Sequence, residues 1–144
     1  MTRLKIPSIN VDALVEYVGL TKAGAMDVPK SPDTVAWYDL GPRPGEVGNA
    51  VFAGHYGWKN GREAVFDDLD KVRVGDKIYV EDDKGESIVF EVKSTRIYDR
   101  EAIAPEVFLS SNGIHLNLIT CTGDWDKIEN SHTKRLVVFA DLTS

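Results

Sequence analysis

The chain holds one cysteine, Cys121, at the end of the run Leu116-Asn117-Leu118-Ile119-Thr120-Cys121, and Arg135 opens the next apolar run, Leu136-Val137-Val138-Phe139-Ala140. A thiol becomes a nucleophile when a neighbouring cation lowers its pKa or a base takes its proton. A guanidinium is a planar, permanent cation whose fork can steady a carbonyl oxygen as it becomes an oxyanion. If the two runs pair as antiparallel strands, the end of the first lies beside the start of the second, and thiol and guanidinium bracket one loop. Taken singly, a strand-end cysteine is usually a small buried hydrophobe and a strand-opening arginine a solvated edge charge. Their conjunction is what suggests a site.

A proton acceptor must come from one of three histidines. His115 shares a strand face with Cys121 but lies six positions earlier, a separation of about 20 Å in an extended chain. His132 sits in the loop beside Arg135 and could swing close. His55 ends the doubly apolar run Gly48-Asn49-Ala50-Val51-Phe52-Ala53-Gly54-His55, where Gly54 lets another group approach the backbone. Strand ends next to loops are where sites gather, so His55 is the best candidate. Trp58 and Trp125, each a few positions beyond a candidate catalytic residue, are placed to line a cleft, although tryptophans are mainly core or rim residues. Asp124, Asp126 and Glu129 crowd the loop after the cysteine but lack the central glycine and closing glutamate of a calcium loop. They read as a solvated acidic loop. No zinc spacing, phosphate loop or dinucleotide fingerprint occurs, so neither metal nor cofactor is expected.

Strands must carry these residues. Ile114, Leu116, Leu118 and Thr120 fall on one face of a strand, and His115, Asn117, Ile119 and Cys121 on the other. Residues 3–20 form two extended segments broken at Pro7-Ser8, and 19–32 is punctuated by Gly24, Pro29 and Pro32 into turns, with one helical turn over 31–36. Residues 41–45 are loop. Ala64, Val65, Phe66, Leu69 and Val72 predict a short amphipathic helix over 62–72. Residues 76–81 and 86–97 form a hairpin around Asp82-Asp83-Lys84-Gly85, and 101–108 is one helical turn with a crossing loop around Pro105. About seven or eight short strands with minor helices make a mostly β protein, a closed or nearly closed barrel.

At 144 residues, 42% hydrophobic and 28% charged, the chain suits one globular domain over 1–144. The net charge of −6 disfavours nucleic-acid binding, which needs concentrated Lys and Arg. One cysteine forms no internal disulfide. No apolar run approaches the ~20 residues of a membrane span.

Taken together, the motifs resemble the sortases, cysteine transpeptidases of Gram-positive cell surfaces. The resemblance rests on Gly48 to Tyr56, on Leu118-Ile119-Thr120-Cys121-Thr122-Gly123 and on Lys134-Arg135-Leu136-Val137-Val138, in that order. Lys5-Ile6-Pro7, Trp37-Tyr38, Val65-Phe66-Asp67-Asp68-Leu69 and Gly75-Asp76-Lys77-Ile78 support it. It implies an eight-stranded barrel with His55, Cys121 and Arg135 meeting in a groove. It further implies that Cys121 attacks the Thr–Gly carbonyl of a Leu-Pro-x-Thr-Gly (LPxTG) sorting signal to form a thioacyl enzyme. His55 would then protonate the leaving amine, Arg135 would hold substrate and oxyanion, and Thr120 would help position the peptide. The expected partners are surface proteins bearing such signals and an amine acceptor on a peptidoglycan precursor or a pilin. The expected location is the extracellular face of the membrane, with the N-terminal anchor that most of the family carries lying outside this sequence. Glu101 and Glu106 lie where some members bind calcium but match no defined ligand set, so no metal is expected. The stretch from Gly41 to Tyr56 resembles the shorter class D, E or F types, and the lack of a long N-terminal lid weighs against the pilin-polymerising type. Two other readings stand beside this one: a hydrolytic thiol peptidase, and a non-catalytic β-barrel that binds peptides.

Overall fold

The computed structural model describes residues 1–102, 104–110, 112–128 and 131–143, with backbone alone for 122–126 and 131. Alternation builds the first strands. Leu4, Ile6, Val11 and Ala13 point into the core from β1 (Arg3–Ile6) and β2 (Val11–Val18), and a 3-10 turn at Pro7–Ile9 reverses the chain between them. The remaining strands are β3 (Val35–Tyr38), β4 (Gly48–Gly54), β5 (Lys77–Glu81), β6 (Ser87–Asp99), β7 (Ile114–Asp126) and β8 (Ser131–Leu142). They close into a barrel in the order β1-β2-β3-β4-β7-β8-β6-β5, sealed by antiparallel pairing of β1 with β5. Closure removes the exposed edges that open sheets must protect. Phe52, Phe90, Ile78, Leu116, Leu118 and Val138, all fully buried, fill the interior.

Two parallel pairings shape everything functional. β4 runs parallel to β7, with Ala53 opposite Ile119, so both strands exit at the same rim. β2 runs parallel to β3, which obliges the connection between them to cross back outside the barrel. The hairpin read from the sequence is present, with Ile78 opposite Phe90 and Val80 opposite Ile88. The helical turn before β7 is α1 (Pro105–Phe108).

The helix expected over 62–72 does not form. That segment is a chain of tight turns, with Asp67, Leu69, Lys71 and Val72 amides each donating to the carbonyl three residues earlier and a 3-10 turn at Leu69–Lys71. Phe66, Leu69 and Val72 are buried at a spacing of three, which three-residue turns satisfy as well as a helix does. Asp67 competes for the backbone: its carboxylate accepts from the Gly57 and Ala64 amides at 2.7 and 3.0 Å. The helical turn expected over 31–36 is likewise absent, because Val35 and Ala36 already belong to β3.

Candidate active site

Leu116 and Leu118 are fully buried and Thr120 is 3% exposed, so alternation along β7 turns Ile119 and Cys121 to the outer face. Cys121 is opposite Arg135 in the β7–β8 register, but the ladder runs on to Asp126 opposite Ser131, so the pair lies within the strands and not at the strand end and entrance expected from the sequence. His55 follows the last residue of β4, beside β7. His55, Cys121 and Arg135 line one cleft of 150 Å³, together with Met26, Asp27, Val28, Pro29, Ala53, Gly54, Phe108, Ile119 and Thr120.

Each member is held by the fold. The Thr120 hydroxyl donates to the Gly54 carbonyl at 2.8 Å, tying the end of β4 to β7 inside the barrel. At Gly54 a Cβ would lie 2.5 Å from the Phe66 ring, so only glycine lets β4 end over that side chain. The Phe66 amide donates to the His55 carbonyl at 3.1 Å. The His55 ring meets Trp58 edge to face at 4.9 Å, and its Nε2 donates to the Pro29 carbonyl at 2.6 Å. A carbonyl only accepts, so Nε2 carries a proton and Nδ1 is the nitrogen left for proton exchange. Arg135 Nη1 donates to the carbonyls of His132 and Lys134 at 3.1 and 3.0 Å, which fixes the guanidinium at the rim.

Burial pushes the Cys121 thiol above its ordinary pKa, and the opposing charge of Arg135 offsets only part of that. The resting nucleophile is therefore a thiol, and it needs a base.

A second, apolar cleft of 270 Å³ adjoins the first. Phe108, Ile119 and Arg135 line both; Ala102, Ala104, Pro105, Val107 and Val137 add apolar wall, and Tyr98, Asp99 and Arg100 complete it. Its wall α1 is held by two buried amides that sequence reading passed over. Asn117 Nδ2 donates to the Val107 carbonyl at 2.7 Å, and Asn49 Nδ2 to the Glu106 carbonyl at 2.9 Å. The signal was there: each is a polar residue inside an otherwise apolar strand. Pro29 and its neighbours over the cleft carried no such signal.

The other sequence-predicted residues fall as follows. Trp58 packs on His55, and Thr120 spends its hydroxyl on Gly54. His115 lies at the far end of β7, bonded to Asp141 at 2.6 Å. Tyr56 stacks edge to face on His132 at 5.3 Å. The side chains of Trp125, Asp124 and Asp126, and all of Glu129, lie outside the described residues. Among the described residues no group of three or more His, Cys, Asp or Glu side chains is arranged to hold a metal, and no helix is long and apolar enough to cross a membrane.

Known proteins share this plan. Sortase A from Corynebacterium diphtheriae superposes with a TM-score of 0.76 at 25% identity, over 100% of this chain and 60% of that one. The Pilus Island 1 sortase C2 of Group B Streptococcus gives 0.71 at 26% identity, over 99% of this chain and 73% of that one. Sortase C-1 from Actinomyces oris gives 0.78 at 23% identity, over 99% and 73%. This chain thus spans 60% of the length of the C. diphtheriae protein. Curated protein sequences yield no match to it. A family model described as the sortase domain matches residues 4–143, nearly the whole barrel, and on that match the chain belongs to the sortase family.

Proposed function

We propose that this chain is the catalytic unit of a cysteine transpeptidase that cleaves an LPxTG-type sorting signal between Thr and Gly and transfers the acyl group to an amine. The observation that carries this reading is the convergence of Cys121, Arg135 and His55, from three adjacent strands, on one cleft.

Cys121 Sγ attacks the Thr carbonyl carbon while its proton passes to His55 Nδ1, which the Pro29 bond leaves available. The carbonyl π pair moves onto oxygen, and the Arg135 guanidinium stabilises the oxyanion. Collapse breaks the C–N bond, His55 returns the proton to the leaving amine, and a thioester remains on Cys121. An incoming amine then attacks the thioester, gives up a proton to His55, and leaves as an amide while the thiol is restored. Thr120 serves by holding the end of β4 against β7, and Trp58 by packing against the imidazole. Trp125 is a further proposed substrate contact. The apolar cleft beside Phe108 and Ile119 suits the Leu-Pro end of such a signal. Substrates are surface proteins bearing the signal, the acceptor is an amine on the cell-wall precursor or a pilin, and the site of action is the outer face of the membrane.

Intact-protein mass after incubation with a Leu-Pro-x-Thr-Gly peptide tests this. A Cys121-dependent acyl adduct that an added amine converts to amide supports transpeptidation. Free acid despite saturating amine would point to a hydrolytic peptidase. Peptide binding without any adduct would point to a non-catalytic barrel.

A further inference from the structure

The connection from β2 to β3 crosses outside the barrel and covers the cleft with Met26–Pro29. Pro29 is buried, and its ring fixes the backbone that presents its carbonyl to His55. The same peptide unit is held from its other side. Lys30, whose amide belongs to the Pro29–Lys30 peptide, donates that N–H to the Glu16 carboxylate at 3.1 and 3.3 Å. In a trans peptide the N–H and C=O point in opposite directions, so one planar unit links carboxylate and imidazole. The Thr34 hydroxyl donates to the same carboxylate, closing the Lys30–Thr34 turn against β2. Glu16 stands half-buried on the outer face of β2, opposite Ala36 of β3.

We infer that Glu16 is a positioning residue for His55, acting through the Pro29–Lys30 peptide as an orienting carboxylate acts directly on histidine in a catalytic triad. The inference rests on the reading of His55 as the proton carrier. A carboxylate that accepts from an amide N–H polarises the amide and strengthens its carbonyl as an acceptor. That carbonyl holds Nε2–H, fixes the tautomer, and favours the imidazolium formed when Nδ1 takes the thiol proton. The charged and titratable groups around His55 in the cleft are Cys121, Arg135 and Asp27, with Lys59 stacked over the Trp58 ring behind it. Glu16 adds its charge on the Nε2 side of the imidazole, through the Pro29–Lys30 peptide. Because the relaying peptide also roofs the cleft, substrate contact with Met26–Pro29 bears on histidine orientation.

Glu16→Gln keeps an oxygen to accept the Lys30 amide and removes the charge. The expected result is single-turnover acylation slowed about tenfold or more, with little change in KM. The pH profile of acylation should also shift so that the limb belonging to His55 moves to lower pH, since removing a negative charge disfavours imidazolium. Thr34→Val is the control: it loosens the same turn but leaves the carboxylate, and should cost stability without moving the limb. Acylation rate and limb unchanged in Glu16→Gln, or equally changed in Thr34→Val, would overturn the inference. Imidazole 15N shifts of His55 followed with pH give a readout independent of turnover. If wild-type protein forms no acyl adduct, the transpeptidase reading fails; a His55 titration and tautomer left as in wild type by Glu16→Gln overturns the inference whether or not the adduct forms.

Discussion

Cys121 and Arg135 stand directly opposite each other across antiparallel β7 and β8, on the outer face of the barrel. The pairing places a permanent cation beside a thiol that burial otherwise keeps protonated. The guanidinium does not make a resting thiolate; it lowers the cost of forming negative charge when substrate arrives.

That balance sets the pH dependence of thiol reactivity. Burial disfavours the thiolate and raises the pKa, whereas Arg135 favours it and lowers the pKa, and burial is the larger effect. Alkylation of Cys121 should therefore rise with pH at a midpoint above that of free cysteine, and Arg135→Gln should move it higher still. Rates of iodoacetamide labelling read by mass would measure both; a wild-type midpoint below free cysteine would mean a resting ion pair instead.

Cys121→Ala should abolish the acyl adduct and all turnover. The fold should survive, with a stability change of about 1 kcal/mol, because the thiol is only half-buried and faces a cleft. Urea unfolding alongside the peptide assay separates the two effects, and residual turnover would remove Cys121 from the mechanism.

Arg135→Lys keeps the charge and loses the planar guanidinium, whose Nη1 bonds the His132 and Lys134 carbonyls. A fall in kcat/KM on the order of a hundredfold is expected. Wild-type kinetics in this variant would make Arg135 an edge charge.

Gly54→Ala tests the seat of His55. The new Cβ would meet Phe66 at 2.5 Å and Val65 at 2.8 Å, so the end of β4 must shift. Destabilisation of about 1–3 kcal/mol is expected, with a loss of kcat larger than stability alone explains. Phe66→Leu in the same chain should recover part of both, measured by thermal melts and acylation rates.

Asn117→Leu removes the shorter of two bonds to the Val107 carbonyl, which keeps Asn49 Nδ2 at 3.3 Å, and turns a buried amide site apolar. A stability cost of about 1–3 kcal/mol follows. Because α1 walls the apolar cleft, KM for peptide should rise more than kcat falls; the reverse split would place the effect at the nucleophile.

Much of this was legible in the residues themselves. Period-two alternation in β7 assigned Leu116 and Leu118 inward and Cys121 outward, because a pleated strand alternates its side chains whatever surrounds it. The β5–β6 hairpin was equally local, set by a turn flanked by two apolar runs. The 62–72 segment was misread because Phe66, Leu69 and Val72 recur at a spacing that turns and helices share, and Asp67 pins the turns through the Gly57 and Ala64 amides.

The sequence by itself determined which side chains could react and which face of each strand they occupy, since both follow from residue type and covalent geometry. Tertiary structure alone decided that β4 lies parallel to β7, which brings His55 to the rim that holds Cys121 and Arg135. It also decided that a proline carbonyl, backed by Glu16, meets the imidazole. The physical reason is that strand order depends on long-range pairing, and a backbone carbonyl has the same identity at every position until the fold aims it.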